Sequence, residues 1–151
     1  MGTRDYTVDI LSRLPDTEIL VHGISISPGK PTILADAAGR PVWGLPGHVV
    51  SAMVVFAVIV RPVLDRIGGA TAEPSRITGI PARISRNLAS AQGRVDYIRV
   101  RLVDRQGEIW ADPILGKSGL INTMVQADGL IAIGMNAEGL DQGAEVEVMP
   151  I

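Results

Sequence analysis

The chain contains no cysteine. That absence excludes a disulfide framework, a thiolate zinc site and a cysteine nucleophile. Histidine is nearly absent too. His22 and His48 are too few for a histidine-built metal centre unless carboxylates complete it. Aromatic residues are scarce, with two Trp, two Tyr and one Phe. A core must therefore be assembled from Val, Ile, Leu, Ala and Met. Neither sign of charge dominates, since 14 Lys and Arg face 16 Asp and Glu, for a net charge of −2. The basic footprint of a nucleic-acid-binding domain is missing, and no nucleic-acid partner is expected.

Long apolar runs are lacking as well. The most membrane-like stretch, VVSAMVVFAVIV, covers residues 49–60 and is stopped by Arg61 and Pro62. A membrane span needs about 20 apolar residues, so this run reads as a buried helix and no membrane partner is expected. The start, MGTRDYTVDI, is polar and has no apolar h-region. A cytoplasmic location is the expectation.

What is present organises the 151 residues into two units. YTVDILSRL (6–14) carries the spacing of an amphipathic helix, ended by Pro15. EILVHGISIS (18–27), PTILAD and PVWGL read as strands, with AAGR as a turn between the last two. A helix over about 48–66 follows, which Pro62 should either kink or divide by beginning a separate last turn. GGATAEP (68–74) reads as a linker. Beyond it RVDYIRVRLVD and GEIWADPIL alternate apolar and polar residues around the turn DRQG, GLINTMVQA is a short helix, and GLIAIG and AEVEVMPI are closing strands. The reading is an α/β piece at 1–68, a linker at 69–75 and a small, mostly β, barrel-like domain at 76–151. The first unit has too few βα repeats for a complete parallel sheet. It looks like the second half of a larger domain.

Chemistry gathers at loops. PGK places Pro28 and Gly29 before Lys30, and an ammonium beside open backbone suits an oxyanion. A solvated hairpin lysine would look the same. Pro46 and Gly47 form a second corner that leads into the long helix, with Ser51 in its first turn. Such a junction can bind an anion, or Ser51 can simply bond locally. Asp5 either caps the first helix or positions a metal or a ligand hydroxyl. GKSG (116–119) offers Lys117 and Ser118 as a further anion nest or a plain loop. Arg94 is either a ligand or an edge charge, and His48 at the start of the helix is more readily structural than ligating. A Walker loop, a GxGxxG turn and a Ser-His-Asp signature are all missing.

Taken in order, PGKP, GLPGxxxSA, GRxxYxR, SGxxxxxxxADG and the closing AEVEVMP resemble the C-terminal half of the MoeA/gephyrin family, the molybdopterin molybdotransferases. The resemblance implies part of a molybdopterin-binding α/β domain followed by a β-barrel-like domain. It implies insertion of molybdate into adenylylated molybdopterin, with Mg²⁺ or a similar ion. Catalytic roles would fall to Asp5, which is also the metal ligand, and to Lys30. Oxyanion contacts would come from Pro28, Gly29, Lys30, Pro46, Gly47, Ser51, Arg94, Arg99 and Ser118. The two Pro-Gly corners would then be adjacent lips of one cleft.

Two departures stand out. His48-Val49 replaces the family's Asn-Pro, and Ser27 stands where a cation often precedes PGKP. They leave an alternative open: a non-catalytic molybdopterin- or molybdate-binding or dimerisation module of a fusion or sensor protein. A pterin, molybdate and a second copy of the chain are the expected partners. The 151 residues alone are expected to be inactive in the transfer.

Overall fold

A computed structural model describes residues 6–70, 79–116 and 121–151. The first half opens with a short helix, α1 (Thr7–Leu11), and strand β1 (Thr17–His22). Strand β2 (Ile26–Ser27), β3 (Ile33–Ala37) and β4 (Arg40–Gly44) follow. β1, β3 and β4 form an antiparallel sheet in that order. The β3–β4 hairpin explains why it is antiparallel. Ala38 (φ 52°) and Gly39 (φ 77°) make a two-residue turn whose twist suits adjacent strands. The Asp36 carboxylate accepts the Gly39 N–H at 2.7 Å. Leu11, Ile33 and Ala35 are the buried centre of this layer.

The expected strand over 18–27 is broken in two. Gly23 takes φ +88° and its N–H bonds to the Thr32 carbonyl, so the chain turns off the sheet. β2 then leaves its own half of the protein. It pairs parallel with the long strand β7 (Val95–Arg105), Ile26 against Val95 and Ser27 against Asp96.

The long helix is present from residue 49 to residue 67, in three segments. These are α2 (Val49–Val55), a π-helical turn (Phe56–Val60) and α3 (Arg61–Ile67). Pro62 sits in the first turn of α3. Proline has no N–H to give, and the wider π turn just before it absorbs the missing bond. Among the described residues no helix is long and apolar enough to cross a membrane.

The second half is a closed barrel of five strands. β5 (Ile80–Ile84), a two-residue β6 (Leu88–Ala89), β7, β8 (Glu108–Pro113), β9 (Gly129–Ile133), β10 (Gly139–Leu140) and β11 (Glu145–Pro150) follow in the chain, with a short helix α4 (Asn122–Val125) between β8 and β9. The order β7-β8-β5-β11-β9 closes because β9 also pairs with β7. β6 and β10 pair separately. The β7–β8 turn repeats the device of the first hairpin: Gln106 and Gly107 have positive φ, and Asp104 accepts the Gly107 N–H at 2.9 Å. Ile84, Val100, Ile131, Ile133 and Val148 fill the barrel. The α/β piece followed by a mostly β barrel is the architecture the sequence points to.

A third core joins the halves. Val50 and Val54 of α2 pack with Met124 of α4 and Leu130 of β9, flanked by Tyr97. Burying a valine or leucine contributes about 1.5–3 kcal/mol, so these four buried side chains outweigh the two-residue pairing of β2 with β7. Gly29 fits the same junction. It is buried at φ +128°, and a Cβ there would lie 2.7 Å from Val55 Cγ2 and 2.8 Å from Ile26 Cδ1. Gly29→Ala is therefore expected to destabilise the protein by about 1–3 kcal/mol, through overpacking and a strained φ. Urea denaturation measures it, and an unchanged midpoint would mean the corner yields freely.

Candidate oxyanion cleft

The β2–β7 pairing brings the PGK corner against the start of β7. Two clefts open on either side of Arg94. One, of about 390 Å³, is lined by residues 24–31 on one wall and 91–94 on the other, so Lys30 and Arg94 share it. The other, of about 350 Å³, is lined by Ser27, Pro28, Arg94, Asp96, Tyr97, Ile98, Arg99 and residues 114–116. Gly29 and Lys30 thus line the first cleft, Arg99 lines the second, and Pro28 and Arg94 line both. The Ser27–Pro28 peptide bond is cis.

The second corner stands apart. Gly47 is exposed, Pro46 and Ser51 are buried, and none of the three lines either cleft. Ser51 lies one helical turn before Val55, the residue that packs on Gly29. Its link to the cleft runs through that packing. Asp5, Lys117 and Ser118 lie outside the described residues. Among the described residues no group of three or more His, Asp or Glu could hold a metal ion.

Arg99 carries the unusual chemistry. It is 9% exposed and yet charged. Its Nη1 donates to Thr123 Oγ1 and its Nη2 to the Gly116 carbonyl, each at 3.0 Å. Both acceptors are neutral, and among the described residues no carboxylate pairs with it. Burial pushes the guanidinium's pKa down. A desolvated cation without a counter-charge is costly, and an anion in the cleft would relieve that cost.

Arg94 is arranged differently. Its Nε donates to Asp96 Oδ1 at 2.8 Å and its Nη2 reaches Oδ2 at 3.4 Å, while the side chain stays 45% exposed. Asp96 also accepts the Ser90 hydroxyl at 2.7 Å. Burial pulls the Asp96 pKa up. Hydrogen bonds from Arg94 and Ser90, the Arg94 charge and a bond from Ser27 pull it down further, leaving it below the ordinary 3.8. The sequence reading passed over Asp96. The signal was there, since Asp96, Ile98, Val100 and Leu102 alternate on one face of β7, and a carboxylate sits in line with core residues.

Residues 81–151 match the family model of the MoeA C-terminal region (domain IV), and residues 1–66 match that of a probable molybdopterin binding domain. The chain belongs to the MoeA family. A MoeA protein of Pyrococcus horikoshii superposes with a TM-score of 0.78 at 37% identity, over 97% of this chain and 34% of that one. A protein of Methanocaldococcus jannaschii named for molybdopterin biosynthesis is 34% identical, covering 98% of this chain and 33% of its own length. The molybdopterin molybdenumtransferase of Haemophilus influenzae is 27% identical, over 99% of this chain and 37% of its own. The chain spans about a third of the length of the curated MoeA-type relatives it matches.

Because the Asp96 pKa is lowered on folding, its stabilising effect is complete above the ordinary carboxylate pKa. It is lost as pH falls through the folded value, below 3.8. Unfolding midpoints in urea between pH 5 and pH 3 are expected to fall less steeply in Asp96→Asn than in the wild type. Parallel curves would show that Asp96 does not contribute to the acid sensitivity.

Proposed function

We propose that this chain supplies an oxyanion-holding wall for molybdenum cofactor biosynthesis, in which molybdate is inserted into adenylylated molybdopterin. The observation that carries the reading is Arg99, a buried guanidinium without a carboxylate partner among the described residues, opening on a cleft shared with Arg94. The names of the relatives supply the substrate class, since they include molybdopterin molybdenumtransferases. Arg99 and Arg94 would hold the oxyanion, with Lys30 as an exposed cation on the far lip. Asp5 and Ser118 stay candidates through the family resemblance. The work of these side chains is positioning and charge stabilisation, with no covalent nucleophile. As the relatives are about three times longer, the 151 residues alone are expected to bind an anion without completing the transfer.

Self-association fits the same picture. Val49, Met53 and Phe56 recur on one face of the long helix and are 45%, 43% and 45% exposed. A second copy would cover them. Light scattering at high concentration is expected to report a dimer or larger species, and Phe56→Glu a monomer. A wild-type monomer would refute the association.

The anion reading is tested by thermal unfolding with molybdate, sulfate or phosphate. At a hundredfold excess over the dissociation constant, the bound ion should stabilise the fold by about 2.7 kcal/mol. Arg99→Met should remove that protection. Without ligand its stability should be unchanged or higher, because an uncompensated buried charge is replaced by a side chain of similar length. Lys30→Ala should weaken the protection while leaving the ligand-free fold almost unchanged, since exposed lysines contribute little. Equal protection in all three proteins, or none in the wild type, would refute the site.

A further inference from the structure

We propose that Asp96 is the positioning residue of this cleft, holding the Arg94 guanidinium in place for the oxyanion by accepting its hydrogen bonds on both carboxylate oxygens. The proposal rests on the anion-binding reading above and names how that site is kept in order.

An acidic side chain in an anion site would ordinarily oppose binding. Asp96 lines the cleft beside Arg99, yet its side chain is only 8% exposed. Both carboxylate oxygens are engaged, Oδ1 by Arg94 Nε and Oδ2 by Ser90 and Arg94 Nη2. Ser27, from the other half of the protein, is its register partner on β2. The charge is thus turned inward and covered by donors. It acts on the cleft through Arg94.

Arg94 needs such a hold. It is half exposed and lines both clefts, and a free arginine there would sample many rotamers. Arg94 stands just ahead of β7, two residues before Asp96, and its guanidinium meets the carboxylate edge-on through Nε and Nη2. Among the described residues Nη1 has no partner and is left for a ligand. Fixing the donor before the anion arrives removes an ordering cost from binding. Ser27 pairs with Asp96 in the β2–β7 ladder, so the PGK corner and Arg94 are set relative to each other.

The test uses phosphate and molybdate titrations of the wild type, Asp96→Asn, Arg94→Gln and the double variant. Asp96→Asn keeps the shape but loses the charge. It is expected to weaken anion binding about tenfold, a change of about 1.4 kcal/mol. If Asp96 acts through Arg94, the double variant will bind no more weakly than Arg94→Gln alone. Additive losses, or unchanged affinity in Asp96→Asn, would overturn the positioning role while leaving the anion site standing. No binding by the wild type would overturn both. A second measurement needs no variant: the Arg94 Nε–H should exchange with solvent more slowly by NMR than that of Arg61, whose closest carboxylate is 3.9 Å away. Equal exchange rates would overturn the proposal even if Asp96→Asn fails to fold.

Discussion

The structure turns on a two-residue strand. Ile26 and Ser27 leave the first sheet and pair with Val95 and Asp96 of the barrel. Backbone hydrogen bonds contribute about 0.5–1.5 kcal/mol net each, so a pairing this short cannot hold two halves together by itself. The apolar contact of Val50 and Val54 with Met124 and Leu130 supplies the adhesion. The strand pairing supplies register. It decides which loop of the first half faces which residues of β7, and therefore that Lys30 and Arg94 share a cleft.

Local structure was legible wherever the determining residues are neighbours in sequence. Both hairpin turns carry an aspartate three residues before a glycine, and both fold with that aspartate capping the glycine N–H. The long apolar helix and the alternating strands of the barrel were equally plain. The β2 detour was not. Its cause is one glycine with positive φ followed by a pairing with residues nearly 70 positions away, and a β-rich run such as EILVHGISIS shows no break. Sheet partners are chosen by tertiary contact, which strand propensity does not encode.

The candidate site was legible in part for the same reason. Lys30, Arg94 and Arg99 were reached through motifs and a family resemblance, and they line two neighbouring clefts that share Arg94. The second Pro-Gly corner does not line the same clefts. Chain proximity suggested adjacent lips; Pro46, Gly47 and Ser51 line neither of the two clefts, and the helix beyond them meets Gly29 through Val55. What Gly29 provides there is room for a valine. A glycine at a turn can thus serve packing and ligand approach at once, and a sequence cannot apportion the two.

Asp96 and Arg99 show how one strand produces opposite electrostatic results. They are three residues apart on β7 and point to opposite faces. Asp96 accepts from Arg94 and Ser90, so its charge is compensated within the protein. Arg99 faces a threonine hydroxyl and a carbonyl, so among the described residues its charge is hydrogen-bonded but not neutralised. Had both been paired to each other, the cleft would be electrically quiet and a ligand would gain nothing. Because alternation along a strand keeps them apart, the carboxylate is occupied holding Arg94 and the buried positive charge of Arg99 is left for whatever enters.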